Sequence, residues 1–266
     1  MSGGSEDPEN RTLISPATTP GSMDNGVFVT SNYYIPQPTK KVKWYSTLYI
    51  PKMLIIISIL QILMYYLDLK MDNRLQLILR FEPKKQQELW RFISYMLMHD
   101  SWMHLFLNVI PQCFFGIILE KTQPNWKVIL VYIGGGIGGA LGAVCVRSRL
   151  LVGASAGVYA ILASNISYYV LNFTMIKYKK SYCSAFIVII VSDISYTVIH
   201  CKVIKYPEIS WAAHLFGAVT GCIIGLLFYG HSYQDKNTSK FVRIFAFAIL
   251  VILIISLIVL DCLDFR

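Results

Sequence analysis

Seven apolar segments follow one another along the 266 residues, each close to the length of a membrane-spanning helix. A spanning helix takes about 20 residues, and lipid offers its backbone no hydrogen-bond partners, so such segments are expected to be α-helical. Only 15% of the residues are charged, against about 25% in soluble domains. The sequence therefore predicts an all-α, polytopic membrane protein. The predicted spans are 48–67, 103–119, 126–146, 155–175, 182–200, 210–229 and 241–260.

Basic residues predict how these spans are oriented. The formal net charge is +9, which in a membrane protein is expected to reflect topology and anionic headgroups. No basic stripe with interleaved aromatic residues points to nucleic acid, so we expect none as a partner. Three basic clusters share one side if the N-terminus is cytoplasmic and the C-terminus lumenal or extracellular. They comprise Lys40, Lys41, Lys43, then Lys177, Lys179, Lys180, then Lys236, Lys240 and Arg243.

Composition divides the chain into three parts. Residues 1–45 are rich in Ser, Thr, Pro, Gly and Asn and are expected to form a disordered cytoplasmic tail. Residues 46–230 hold six spans and form the predicted core, and 231–266 hold a cytoplasmic loop and the seventh span. Residues 68–102, between the first two spans, mix apolar and charged residues. We expect that segment to lie along the interface as short amphipathic helices.

Two residues with the chemistry of a nucleophile and a base lie within apolar segments. Ser155 opens the fourth span, and His214 lies near the start of the sixth. Polar and ionisable groups at bilayer depth are costly and are functional candidates by default. In the predicted orientation both spans run from lumen to cytosol, and His214 lies about 6 Å below the top of its helix. The two groups are thus predicted at similar depth, as a nucleophile and its base require.

Small residues predict where these two helices meet. After Ala213, glycine recurs at every fourth position of the sixth span, and such a stripe lets membrane helices approach closely. The fourth span also carries small residues near Ser155. The alternative reading is packing alone, with the serine hydroxyl bonded to its own helix backbone. The residues concerned are Gly217, Gly221 and Gly225 on the sixth span, and Gly153, Gly157 and Ala160 around the start of the fourth.

A second polar group lies at the start of the second span. His104 and Asn108 are four residues apart and share a helix face, and His99 precedes them. A serine nucleophile needs hydrogen-bond donors aimed at the oxyanion that develops during attack. His104, Asn108 and the backbone N–H of Ser155 at a helix N-terminus are the predicted donors. The alternative is interhelical hydrogen bonding, worth about 0.6 kcal/mol per bond.

Taken together, these motifs resemble the rhomboid family of intramembrane serine proteases. The resemblance covers about residues 88–225, and a seventh span after a six-helix core is similar to the eukaryotic secretase-type branch. Ala156 stands where many rhomboids have glycine, and alanine is small enough that we expect activity. The motifs are Glu88-Leu89-Trp90-Arg91, His99, His104-x-x-x-Asn108, Gly153-Ala154-Ser155-Ala156-Gly157-Val158-Tyr159-Ala160, and Ala213-His214-x-x-Gly217-x-x-x-Gly221.

The resemblance implies a rhomboid-like six-helix bundle with one additional C-terminal transmembrane helix. It implies Ser155 as nucleophile and His214 as general base and then acid, with no aspartate completing a triad. His104 and Asn108 would form the oxyanion hole, Tyr159 would stack on His214, and His99 would support the site by hydrogen bonding. The residues with an implied structural role are Trp90, Arg91, Gly153, Gly157, Gly217 and Gly221.

The implied substrates are single-pass membrane proteins with lumenal N-termini, such as EGF-like growth factor precursors. Cleavage within the substrate's transmembrane segment would release its lumenal domain in the secretory pathway, such as the Golgi, or at the plasma membrane. The substrate helix satisfies its own backbone, so it must unwind locally before a carbonyl reaches Ser155. No metal or organic cofactor is expected.

Other function classes lack their signatures. A metalloprotease of this kind would carry a His-Glu-x-x-His motif, and an aspartyl protease would need two facing aspartates, whereas Asp193 is the one clear acid within a predicted span. Two alternatives stay open. One is a catalytically silent rhomboid-like protein that binds membrane helices, and the other, with less support, is a transporter with glycine-broken helices like residues 134–142.

Overall fold

The computed structural model describes residues 50–146, 150–172, 211–229 and 236–264 and positions 184, 187, 191 and 195. Most of these residues belong to α-helices. Short 3-10 turns occupy Pro83–Lys85 and Tyr95–Leu97. All described residues belong to one unit, Tyr49–Arg266. In chain order the helices are α1 (Lys52–Lys70), α2 (Arg74–Leu79), α3 (Arg91–Ser94), α4 (Trp102–Thr122), α5 (Asn125–Cys145), α6 (Ser155–Leu171), α7 (Trp211–Phe228) and α8 (Lys236–Asp264).

Among the described residues, five stretches of helix are long and apolar enough to cross a membrane, namely α1, α4, α5, α7 and Lys240–Val259 of α8. Helix α6, with 17 residues, coincides with the fourth predicted span. The predicted all-α, multi-pass membrane fold is confirmed. The bounds of six predicted spans differ from those of the helices by a few residues. The fifth span, 182–200, and the tail, 1–45, lie outside the described residues apart from the four single positions.

The segment between α1 and α4 is held together by a buried guanidinium. Arg91 is 3% exposed and donates hydrogen bonds to the carbonyl oxygens of Leu77 at 3.2 Å and Arg80 at 2.7 Å. It also pairs with Glu88 at 2.6 Å. Because a planar guanidinium presents several donors at once, one side chain satisfies backbone acceptors from separate turns. Trp90, by contrast, is 53% exposed.

Buried polar side chains join α1 to its neighbours. Near the end of α4, Glu120 accepts a hydrogen bond from the backbone N–H of Leu54 at 2.9 Å, in the first turn of α1, where N–H groups have no partner within the helix. Deeper in the bundle, Gln61 donates to the Tyr132 hydroxyl at 2.8 Å and accepts from Gln112 at 3.2 Å. These bonds offset the cost of keeping amide groups away from water.

Glycine and alanine bring α5, α6 and α7 into close contact. A Cβ atom at Gly221 of α7 would collide with the backbone of Ala160 on α6, and one at Gly135 of α5 would collide with the Ala160 side chain. A Cβ at Gly217 would lie 2.5 Å from the carbonyl oxygen of Ala156. Helix α6 is thus held between α5 and α7, and the start of α6 lies beside the start of α7. The predicted packing stripe thus faces α6 at these two α7 positions.

Helix α8 packs on the side of this three-helix unit. It contacts α5 and α7, and the Cys145 thiol lies 3.6 Å from the carbonyl oxygen of Leu257. Ala246 and Leu257 are buried, whereas most described side chains of the helix are exposed. An apolar helix with so much exposed surface is expected to meet lipid on its outer face.

We expect Gly221→Ala to destabilise the fold, because the added methyl group meets backbone atoms that cannot rotate away. Overpacking of this kind costs about 1–3 kcal/mol, so the thermal unfolding midpoint in detergent should fall. The matched control is Val219→Ala, on an exposed position of the same helix, which should leave the midpoint nearly unchanged. Equal midpoints for the two variants would contradict the close packing of α6 and α7.

Candidate active site

Ser155 and His214 meet where α6 and α7 begin. The Ser155 Oγ and the His214 Nε2 are 2.8 Å apart, although 59 residues separate them in the chain. Ser155 is the first residue of α6, and His214 lies in the first turn of α7. A hydroxyl can pass its proton to an imidazole at this distance if Nε2 is unprotonated. The structure therefore brings together the two residues that the sequence predicts as nucleophile and base.

The imidazole is held by an aromatic ring on the neighbouring helix. Tyr159 lies one turn after Ser155 in α6, and its ring stacks on that of His214 with centroids 4.5 Å apart and planes inclined by 15°. Such a face-to-face contact restricts rotation of the imidazole about its side-chain bonds. The predicted stacking of Tyr159 on His214 is present, and it orients Nε2 toward Ser155.

The backbone before Ser155 is fixed by the segment between α1 and α4. Leu151 and Phe81 exchange two backbone hydrogen bonds of 3.0 Å, and the N–H of Gly153 donates to the Tyr95 carbonyl at 3.1 Å. Gly153 has φ +103°, a conformation that glycine adopts without steric cost. A Cβ there would also lie 2.6 Å from the ring of His104. Only glycine satisfies both conditions.

The alanine at position 156 is accommodated by a glycine on α5. A Cβ built at Gly139 would lie 2.6 Å from the Ala156 methyl group, so that methyl group fills space which Gly139 leaves open. Next to it, a Cβ at Gly157 would lie 2.5 Å from Met96 and 2.8 Å from Tyr132. The methyl group of Ala156 therefore packs directly against the backbone of α5 at Gly139.

His104 occupies the space between an acidic side chain and the loop before Ser155. Its Nδ1 lies 2.6 Å from the Asp100 carboxylate, and its Cε1–Nε2 edge faces Gly153. Ser101 caps α4 by accepting from the His104 N–H at 3.2 Å. Asp100 is not among the site residues predicted from the sequence, although its spacing of four residues from His104 indicates that the two side chains share a helix face.

Asn108 lies one turn deeper along α4. It is 4% exposed, and its amide donates one hydrogen bond to the carbonyl oxygen of His104 at 2.8 Å. An asparagine amide has two N–H donors, so the second remains available for a ligand. The orientation of the side chain is thereby fixed by its own helix.

His99 differs from its predicted role. The side chain is 2% exposed and packs edge-on against His104 with centroids 5.3 Å apart. Neither ring nitrogen reaches a hydrogen-bond partner among the described residues, so packing replaces the predicted supporting hydrogen bond. Burial, and then repulsion from His104, lowers the pKa of His99 to about 3. His99 is therefore a neutral, buried ring behind His104.

Residues 86–231 match the family model for the rhomboid domain, which covers more than half of the chain. The chain belongs to the rhomboid family. It is 29% identical to Rhomboid-related protein 2 of Mus musculus over 229 residues, 80% of this chain and 75% of that protein. It is 31% identical to Rhomboid-related protein 1 of Caenorhabditis elegans over 165 residues, 61% of this chain and 46% of that protein.

Another relative carries a name that bears on activity. The chain is 24% identical to Inactive rhomboid-related protein 2 of Caenorhabditis elegans over 155 residues, 58% of this chain and 43% of that protein. Family membership alone therefore does not decide whether a rhomboid cleaves its substrates. The decision rests on the side chains present at the site.

Acid pH is expected to destabilise this rhomboid through His99. Its pKa falls from the ordinary 6.5 to about 3 in the folded protein. Between these two pH values the unfolded chain binds a proton at His99 that the folded chain does not. The folding stability that depends on neutral His99 is therefore fully present above its ordinary pKa of 6.5 and is lost as the pH falls toward 3. The unfolding midpoint of His99→Phe should therefore fall less between about pH 7 and about pH 4.5 than that of the wild type. Parallel curves would contradict the assignment.

Proposed function

We propose that this rhomboid is an intramembrane serine endopeptidase with a Ser155–His214 dyad. The observation that carries the proposal is the 2.8 Å contact between Ser155 Oγ and His214 Nε2, held by the stacked ring of Tyr159. A hydroxyl is a weak nucleophile until a positioned base accepts its proton. The paired side chains supply both groups at the ends of adjacent, tightly packed helices.

The reaction follows from this pairing. Ser155 Oγ attacks the scissile carbonyl carbon of the substrate while its proton passes to His214 Nε2. The tetrahedral intermediate collapses when His214 donates that proton to the departing amine, leaving an acyl group on Ser155. Water then attacks the ester, again with His214 as base, and releases the second product. As the ester bond breaks, His214 returns the proton to Ser155 Oγ, which restores the starting pair.

The oxyanion donors in this proposal are His104, Asn108 and the backbone N–H of Ser155. The first N–H groups of a helix have no internal partner, and the helix N-terminus carries partial positive charge. The edge of His104 faces Gly153, two residues before Ser155, and Asn108 has a second N–H beyond its bond to the His104 carbonyl. Donors held in advance toward a developing charge lower the barrier to attack.

The predicted topology determines which substrates could reach this site. With the N-terminus cytoplasmic and the C-terminus lumenal or extracellular, α6 and α7 both begin in the lumenal leaflet, and so does the Ser155–His214 pair. Single-pass proteins with lumenal N-termini would be cut within their spans, and EGF-like growth factor precursors are the class to test. We place the catalytic core in residues 46–230, with a cytoplasmic tail at 1–45 and a loop with a seventh helix at 231–266, in the Golgi or plasma membrane.

A catalytically silent protein that binds membrane helices is the second candidate, since one relative is named inactive. Such a protein has no need for a hydroxyl in contact with an imidazole. Here both groups are present and within hydrogen-bond distance, which favours the protease. A transporter has less support, because it would require neither the pairing nor the donors beside it.

Co-expression with a tagged single-pass EGF-type precursor tests the dyad. The wild type should release the lumenal domain, and both Ser155→Ala and His214→Ala should abolish release at similar protein levels. The matched control is Ser164→Ala on the same helix, because Ser164 is buried and its hydroxyl donates to the Ile161 carbonyl of that helix at 2.9 Å. Release by Ser155→Ala equal to that of the wild type would remove the catalytic assignment.

Asn108→Ala is expected to lower kcat about 10²–10³-fold, the usual cost of removing one oxyanion donor. Asn165 provides a matched control, because it is also buried and also donates to the carbonyl four residues earlier in its helix, at 2.8 Å. Asn165→Ala should retain most of the activity in a cleavage assay with purified protein. If the two variants lost activity equally, Asn108 would have only a packing role.

A further inference from the structure

The contacts of His104 place a carboxylate at one end of its ring and the nucleophile loop at the other. Asp100 Oδ1 lies 2.6 Å from Nδ1, while the Cε1–Nε2 edge faces Gly153. Asp100 immediately precedes Ser101, the cap of α4. One ring nitrogen is thus bonded to Asp100, and the other faces Gly153, two residues before Ser155.

The carboxylate decides which protons the ring must carry. An ionised carboxylate only accepts hydrogen bonds, so the Nδ1 beside it carries a proton. A neutral imidazole has a single N–H, and Nε2 would then be an acceptor, which is unsuited to an oxyanion. His104 can donate from Nε2 while it stays bonded to Asp100 only as an imidazolium. A charged donor also forms the stronger hydrogen bond to a developing oxyanion.

We propose that Asp100 is a positioning residue that holds His104 through Nδ1 and supplies the negative charge balancing a protonated Nε2. This proposal rests on the protease function proposed above and deepens it by assigning the charge state of one oxyanion donor. Asp100 itself touches neither substrate nor the reacting atoms in this account. Its effect on the reaction passes through the ring of His104.

The other groups described around His104 supply no negative charge to balance a protonated ring. His99 packs against it as a neutral ring and offers no negative charge. In the proposed reaction His214 gains a proton when Ser155 attacks, so a second imidazolium forms at the same site. Among the described residues, Asp100 is the acidic side chain in contact with His104. Its negative charge offsets the repulsion between two imidazolium rings.

Variants at Asp100 are expected to fold. The side chains of Asp100 and His104 are 34% and 30% exposed, and ion pairs that accessible contribute little to stability. Asp100→Asn keeps the size of the side chain and its ability to accept a hydrogen bond but removes the charge. Asp100→Glu keeps the charge on a longer side chain, and Asp100→Ala removes both.

The test measures two readouts on purified, full-length protein. One is the rate at which a fluorophosphonate labels Ser155, which displaces fluoride and needs no knowledge of the natural substrate. The other is kcat and KM for cleavage of a tagged EGF-type precursor. We expect Asp100→Asn and Asp100→Ala to lower the labelling rate and kcat about tenfold or more, as loss of a charged hydrogen bond does, with KM within about twofold. Asp100→Glu should recover most of the rate. Asp72→Asn, an exposed acid after α1, should match the wild type.

Each other outcome overturns the proposal. Wild-type rates in Asp100→Asn would show that no counter-charge is needed, and so would a loss confined to Asp100→Ala. Loss in all three variants together with a lower unfolding midpoint would assign Asp100 a structural role at the start of α4. If the wild type showed no Ser155-dependent labelling and no cleavage, the protease function itself would fail, and the Asp100 proposal with it.

Discussion

The close approach of α6 and α7 is the contact on which the site depends. At Gly217 and Gly221 there is no room for a side chain, because the backbone of α6 occupies the space that a Cβ would need. Without a hydrophobic driving force between helices in lipid, such backbone contacts and a few polar bonds hold membrane helices together. They also place Ser155 and His214 at the same level, so that the packing of the bundle and the geometry of the dyad have one cause.

The segment between α1 and α4 holds the loop that precedes Ser155. Arg91 holds the turns of this segment through backbone carbonyls, and Phe81 and the Tyr95 carbonyl hold the loop before Ser155. Ser155 is therefore positioned both by its own helix and by the segment between α1 and α4. A substitution that shifts this segment would therefore displace Ser155 by moving the backbone of the loop before it.

Much of this arrangement could be predicted from the sequence. Periodic glycine and the lengths of the apolar segments predict the spans and the meeting of α6 with α7, since both depend on local composition. The matched depth of Ser155 and His214 follows from the order of the spans. The stacking of Tyr159 came from resemblance to a family rather than from physical reasoning on this chain alone.

Other features depended on long-range contacts that no local pattern encodes. The bridge between Phe81 and Leu151 pairs segments 70 residues apart, and nothing in either segment marks the partner. His99 was predicted to hydrogen-bond near the site, yet it is enclosed behind His104, because burial depends on the packing of the whole bundle. The four-residue spacing of Asp100 and His104 allows a contact, but which ring nitrogen meets the carboxylate depends on the orientation of the ring in the fold.

A crystal structure of the protein labelled by a fluorophosphonate would test whether Ser155 and His214 act as a pair. We expect phosphorus bonded to Ser155 Oγ, with His214 Nε2 beside that oxygen and the phosphoryl oxygen within hydrogen-bond distance of His104 and Asn108. A label on another residue, or a phosphoryl oxygen directed away from α4 with His214 distant from Ser155, would contradict it.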